Sequence, residues 1–529
     1  MTSDRLDLRD REKLLARLEE RVFDVAVIGG GITGAGVARD AAMRGLSVAL
    51  IEATDFAAGT SSRSSKMIHG GLRYLPMGDL ALVREAASER KIVQAIAPHL
   101  AREMPFVMPA RSAGAIAKLR TGLWTFEKLG GVPKSRKHEV WSVRDVEDRE
   151  PAIAAEGLAG AVVYPEYLTD DARLTLANVR SAAAHGAVCV NHARVTAIVA
   201  GAGGQAEALE VDDITGSRAR VRARAIVNAA GPWVDALRAL EAPGASPRLK
   251  LSKGVHLVVD RERLPVNRTV IMPAADRRSV FAVPKGRATY IGTTDAFYPD
   301  AEAWPSITAA DAQYLLEAAA RQFSVPRLTL ADIVSAWSGV RPLVGEEGKA
   351  STEVSRKDEL WTGPAGVLSI AGGKLTAYRR MAERVVDRIE EALGRKPSAC
   401  RTAAEPLPGG EDDPERIRAS LERDGADPAT ADRLAWLYGA EAPEVLADGG
   451  DVAAEARRAV VAEGALTLED WWVRRSARAW FAARGGLGDL APGAAAMAPL
   501  LGWSEAEIGR QIDACRAIHD RNMTALQEA

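Results

Sequence analysis

Apolar positions follow two rhythms along this chain of 529 residues. Some come as short continuous runs and others at helical spacing. Val25–Ile28 is such a run. It is followed by a glycine cluster, a helix-like stretch punctuated by Gly45, and a second run at Val48–Ile51. The order strand, turn, helix, strand predicts a βαβ unit. Leu14, Leu15 and Leu18 among alternating charges predict a short amphipathic helix docked on the body. A longer helix is expected from Asp79 to Ala97, and residues 100 to 160 alternate short apolar runs with Pro and Gly.

"YLTDDARLTLANVRSAAAHGAVCV" reads as helix then strand, with Thr169 or Asp170 as N-cap. "ARAIVNAAGPWV" is a buried strand ended by Gly-Pro. "KGVHLVVD", "RTVIMP", "SVFAVP" and "ATYIGTTD" follow between about 248 and 295, in the pattern of an antiparallel sheet over a cleft. "GVLSIAGGKLTAYRRMAERVVDRIEEAL" returns to strand, Gly turn, helix. Beyond "PLPGG" the composition shifts to Ala, Arg, Glu and Trp, and residues 405–529 read as a helical domain whose Trp471, Trp472 and Trp480 are core candidates.

The totals narrow the function. Apolar and charged fractions of 47% and 26% are those of a soluble globular protein, and the length implies two or three domains. A net charge of -2 carries no electrostatic footprint for nucleic acid. Cys189, Cys400 and Cys515 have no metal-ligand spacing and imply no disulfide framework, which fits a reducing cytosol; no metal site is expected. The N-terminus mixes charge signs and has no apolar h-region, so no secretory signal is expected. No apolar run approaches a membrane span.

Candidate chemistry begins at Gly29, Gly31 and Gly34, a G-x-G-x-x-G directly between strand and helix. The first glycine allows the tight turn, the second lets a pyrophosphate approach the backbone, and the third lets helix pack on strand. The helix N-terminus adds N–H donors and partial positive charge. Glu52 ends the second strand, placed for a ribose hydroxyl, and its carboxylate disfavours the 2′-phosphate of NADP. NAD and FAD remain. The second strand-to-helix turn, Gly373-Lys374-Leu375-Thr376, favours FAD, because a helix starting near Thr376 would aim its positive end at the same site.

At these residues a resemblance enters. "IGGGITGAGVARDAAMRGLSVALIE", "TSSRSSKMIHGGLRYL", "DDARLTLAN", "NAAGPWV", "KGVHLVV", "IGTTD", "SGVRPL", "AGGKLTAYRRMAE" and "WWVRRSARAW" make the chain similar to FAD-dependent glycerol-3-phosphate dehydrogenases of the aerobic bacterial and mitochondrial type. The resemblance spans about residues 24 to 480. It implies an α/β fold like that of D-amino-acid oxidase. A Rossmann-type FAD-binding domain would be assembled from 22–100, 161–245 and 336–400. A mixed-sheet substrate domain would come from 101–160 and 246–335, and a helical C-terminal domain from 405–529. It implies oxidation of sn-glycerol 3-phosphate to dihydroxyacetone phosphate, with electrons passing to FAD and then to a quinone. The alternative is an oxidase that uses oxygen and releases hydrogen peroxide. A cytoplasmic location, peripheral contact with the inner face of the membrane and a homodimer are compatible with it.

The same resemblance suggests site residues. Arginine suits a phosphate because its planar fork binds bidentately, and Arg73, Arg341 and Arg356 are the candidates, with Tyr74 and Thr293 beside the substrate. His256 is the expected acid/base group, since imidazole titrates in the useful range, with Arg341 and Lys374 assisting. Thr60, Ser61, Ser62, Ser64, Ser65 and Lys66 are expected to cradle FAD phosphates and the ribityl chain, with His69 and Gly70 by the flavin, Gly231 at its strand-end turn and Val195 contacting adenine by backbone.

Overall fold

The strand Val22–Ile28 is the axis of the first of two sheets. The computed structural model describes residues 5–70, 80–133, 136–345 and 358–527. Val22–Ile28 pairs in parallel with Arg218–Asn228 on one side and Val48–Ile51 on the other; Leu368–Gly372 and Val188–Val190 extend the sheet outward, and Asp358–Thr362 closes one edge antiparallel. Successive residues Val25, Ala26 and Val27, and Val48, Ala49 and Leu50, are all fully buried. Both faces are therefore covered, as the unbroken apolar runs require. The helices Ile32–Met43, Asp171–Ala184 and Tyr378–Ala392 pack together on this sheet. The expected amphipathic N-terminal helix is Arg11–Glu19; Asp10 caps it by accepting from the Lys13 N–H at 3.1 Å, and Leu14, Leu15 and Leu18 are buried.

Among the described residues the second sheet has ten strands. Leu249–Asp260 pairs antiparallel with Ala288–Gly292 and, along most of its length, with Ile333–Val344. The hairpins Thr269–Pro273, Ser279–Lys285 and Ala288–Gly292 follow the expected antiparallel order. Arg102–Ala110 and Gly160–Leu168 extend the sheet, and Met67–Ile68 is its last strand. Gly160–Leu168 and Ile333–Val344, most of whose residues the sequence division assigns to the nucleotide domain, thus pair in the second sheet. Its register sets Ser252 opposite Arg341, and His256 between Trp337 and Gly292. Asp170 is the N-cap of Asp171–Ala184 and accepts from the Arg173 N–H at 3.0 Å.

The C-terminal region is helical from Pro414–Arg423 to Glu505–Gln527, with a π-helical turn at Asp470–Arg475. Trp471, Trp472 and Trp480 are almost wholly buried, in one apolar cluster with Tyr290 and Trp337 of the second sheet. The helical region therefore shares a core with the sheet beneath it. Among the described residues, no helix is long and apolar enough to cross a membrane. Because this core is shared, Trp472→Ala should cost about 3–5 kcal/mol. In equilibrium urea unfolding the loss should appear as one lowered midpoint, followed equally by far-UV and near-UV circular dichroism.

Candidate active site

The glycine turn is built by close backbone contacts. Gly29 has a φ of +105°, and a Cβ there would lie 2.7 Å from the Ala229 carbonyl oxygen. A Cβ on Gly34 would overlap the Gly29 carbonyl oxygen, so only glycine lets the helix Ile32–Met43 sit this low on its strand. The Ile32 N–H at the first turn donates to Ser61 Oγ at 2.9 Å. The Glu52 carboxylate accepts from the N–H groups of Gly30 (2.7 Å) and Thr54 (2.8 Å). Burial raises its carboxyl above the usual range, and the Thr54 and Gly30 N–H groups oppose that rise.

A cavity of about 560 Å³ opens above this turn. Its walls include Gly29, Gly31 and Glu52; Thr60, Ser61 and Ser65; His69, Val195 and Gly231; and Gly373, Lys374, Leu375 and Arg341. Residues expected to act together from strands, loops and helix starts far apart in sequence thus meet at one surface. Arg341 Nη2 donates to Thr293 Oγ1 at 3.0 Å, and the Asp295 carboxylate lies 3.6 Å from Arg341 Nη1. His256 stands one layer behind the wall. Its Nε2 is 2.9 Å from Ser65 Oγ, and its ring stacks on Trp337 at 4.7 Å with an interplanar angle of 11°. Burial, followed by the positive charges of Arg341 and Lys66, holds this imidazole well below its ordinary range. It is neutral, and its Nδ1 makes no hydrogen bond among the described residues.

Comparison with known proteins places this cavity. Residues 24–379 match the FAD dependent oxidoreductase family, and residues 400–508 match the C-terminal domain of alpha-glycerophosphate oxidase. An aerobic glycerol-3-phosphate dehydrogenase of Bacillus subtilis (strain 168) is 38% identical over 499 residues, covering 89% of this chain and 90% of that one. The Staphylococcus aureus (strain USA300) protein of the same name is 40% identical over 451 residues, covering 82% and 81%. The crystal structure of the Bacillus halodurans glycerol-3-phosphate dehydrogenase complexed with FAD superposes with a TM-score of 0.82 at 34% identity, over 99% of both chains. The chain belongs to the FAD-dependent glycerol-3-phosphate dehydrogenase family. An L-alpha-glycerophosphate oxidase from Mycoplasma pneumoniae, with FAD bound, shares the fold at a TM-score of 0.57 and 18% identity, covering 73% of this chain and 99% of that one.

The residues of this dehydrogenase fit FAD, its cofactor. The bare backbone at Gly29 and Gly31 and the helix start behind them suit a pyrophosphate, and the Glu52 carboxylate, oriented by two N–H groups, suits a ribose hydroxyl. The Gly373–Leu375 turn supplies the far wall; there a 3₁₀ turn, Leu375–Ala377, leads into the helix Tyr378–Ala392, slightly later than the sequence suggests.

Besides Gly34, four expected cofactor residues of the dehydrogenase lie behind the wall. Lys66 does not approach the cavity as expected: a buried ammonium needs a counter-charge, and its Nζ lies 2.6 Å from the Asp171 carboxylate and 3.0 Å from the Ser62 carbonyl oxygen. Ser62 is wholly buried, the Gly70 N–H donates to Glu166, and Thr376 Oγ1 donates to the His69 carbonyl at 3.2 Å. Arg73, Tyr74 and Arg356 lie outside the described residues.

Two residues were missed. Asp171 also accepts from the Ser64 N–H (3.0 Å) and Oγ (2.7 Å), which locks the serine-rich turn. The second acid of "TDDARL", next to the Asp170 cap, was its signal. Arg63 lines the cavity with its guanidinium 3.4 Å from the centre of the Trp304 ring, and burial pulls it down to about 9. No local pattern marks that pairing.

Two measurements test this construction. Gly34→Val should yield protein that purifies without flavin absorbance, because its side chain displaces the helix from the Gly29 turn. The second concerns pH. His99, near the C-terminal junction, is held neutral by burial and by the charge of Arg173, down to about 3. Below about 6.5 the unfolded chain takes up a proton that folded His99 refuses, so stability falls as pH falls, by about 1.4 kcal/mol per unit. Between pH 7.5 and 5.5 the stability from urea unfolding should therefore fall by about 1.4 kcal/mol in all, and His99→Gln should reduce that fall.

Proposed function

We propose that this chain oxidises sn-glycerol 3-phosphate to dihydroxyacetone phosphate and passes the electrons to a quinone. The observation that carries this reading is the meeting of Arg341, Lys374 and the Ser65–His256 pair at the cavity that also holds the glycine turn. When bound, FAD would supply a two-electron acceptor for the hydride of substrate C2.

The protein's own groups do the rest. Arg341, braced by Thr293, offers a planar fork to the phosphate. Arg73, Tyr74 and Arg356 complete that clamp in this reading. Ser65 Oγ stands between the cavity and His256 Nε2, so the hydroxyl proton reaches the imidazole through Ser65. A protonated imidazole beside Arg341 and Lys66 is unfavourable in the resting site. A phosphate dianion on Arg341 offsets that charge, so the base becomes effective when substrate is present. Lys374 and the helix start at Leu375–Ala377 place positive potential where negative charge develops. A lipid-soluble quinone requires contact with a membrane surface, and the dehydrogenase names of the relatives support that acceptor.

A second reading has its own support: residues 400–508 match a domain named for an oxidase, so oxygen is the competing acceptor. Anaerobic titration with sn-glycerol 3-phosphate should bleach the flavin. Ser65→Ala and His256→Ala should slow that bleaching by about 10²–10⁴-fold, the range of general-base catalysis. Bleaching at the wild-type rate in His256→Ala removes that residue from the chemistry. Stoichiometric peroxide without added quinone selects the oxygen reading.

A further inference from the structure

The motif "WWVRRS" in the C-terminal region takes no part in the chemistry above, yet its charged side chains are buried where that region meets the first sheet. Arg474 and Arg475 both donate to the Asp55 carboxylate, with Arg475 Nη2 at 2.8 Å from Oδ1. Asn191 Nδ2 donates to the same oxygen at 3.0 Å. Arg474 Nη2 also donates to Asp470 at 2.7 Å, and the other Asp470 oxygen lies 2.9 Å from His192 Nε2. Asp55 and Asp470 are wholly inaccessible, and Arg474 and Arg475 nearly so.

Two chain segments from the first sheet enter this knot, and both lead directly to the cavity. Asp55 follows the turn that carries Glu52 and Thr54. His192 follows the strand Val188–Val190 and precedes Ala193 and Val195. The segments are zipped together: the Glu52 N–H donates to the Val190 carbonyl and the Ala193 N–H to the Glu52 carbonyl, each at 2.9 Å, while the His192 N–H donates to the Thr54 carbonyl. Glu52, Thr54 and Val195 all line the cavity. Asp55, His192 and Asp470 lie close enough together to suggest a cation site. The two guanidinium groups already neutralise both carboxylates, so the cluster calls for no added cation.

We infer that the C-terminal region is a positioning arm for the adenosine half of the FAD site, with Asp470, Arg474 and Arg475 as positioning residues. The inference rests on the reading that Glu52 and Val195 take that half. Asp55, His192, Asp470, Arg474 and Arg475 do not line the cavity; they set the spacing of the Glu52 turn against the Val195 strand from behind. It also links that spacing to pH. His192 is flanked by Asp470 and Asp55, with Arg474 opposing them. Burial is the largest influence and lowers its affinity for a proton, but Asp470 and Asp55 together outweigh it and raise the ring above the ordinary imidazole range. The charged pair is present at low pH and is lost as pH rises through that raised value.

The test uses the full chain, with FAD and ADP as probes. FAD binding is followed by flavin fluorescence, and ADP binding by its competition with FAD. Asp470→Asn and Arg475→Lys should each weaken FAD at least tenfold and ADP by the same factor. Arg263→Ala, which removes an ion pair to Asp332 away from the cavity, should leave ADP within twofold of wild type. ADP affinity should fall as pH rises in the wild type and be flat in His192→Gln. If Arg475→Lys does not fold, the Asp470 and His192 variants carry the test. A lowered melting temperature of the FAD-free protein with FAD and ADP affinities within twofold of wild type means a purely structural staple and overturns the inference. Glu52→Ala with undiminished ADP affinity overturns the assignment of that end of the cavity, and the inference with it.

Discussion

The buried ion pair between Lys66 and Asp171 is the contact on which the site's construction depends. A pair this far from water repays its desolvation only if the remaining hydrogen-bonding capacity is also used. Here it is: Asp171 accepts from Ser64 twice and Lys66 donates to the Ser62 carbonyl. The turn so locked runs between the two sheets. At one end Ser61 accepts from the first helix, and at the other Met67–Ile68 pairs as the last strand of the second sheet. Between them Ser65 is held against His256. The ion pair thus fixes the relation of the glycine turn to the wall that His256 backs, with Asp171 itself at the cavity.

The electrostatics of that wall follow from crowding positive charge around a neutral ring. Arg341 and Lys66 both oppose protonation of His256, and the stack on Trp337 leaves the ring no room to move into water. In the proposed reading, a dianion on Arg341 balances that charge. In the proposed reaction, substrate charge becomes part of the base, which would give a phosphomonoester an advantage over an uncharged alcohol that added contacts alone would not provide.

The helical C-terminal region is integrated with the rest at two places of opposite character. Its tryptophans share an apolar cluster with the second sheet, and its arginines enter the back of the first. The apolar contact is tolerant of small shifts, whereas the charged one is directional. This division suits a region that must be held firmly but must set one loop accurately.

Much of this was legible from local pattern. Glycine spacing, the apolar runs and the Asp170 cap are decided within a few residues of themselves, because tight turns, strand burial and helix starts are short-range demands of the backbone. The Lys374 turn was brought to the glycine motif by its strand-turn-helix pattern, whereas Arg341 and the serine turn were expected there through resemblance, not through any rule of spacing. What only the tertiary structure decided is which charge answers which. Lys66 finds Asp171 more than a hundred positions away, His256 finds Ser65 and Trp337, and Asp55 finds Arg474 and Arg475 near the other end of the chain. A buried charge must be paired, but its partner comes from whichever segment the fold brings near, and no local rhythm in the sequence records that.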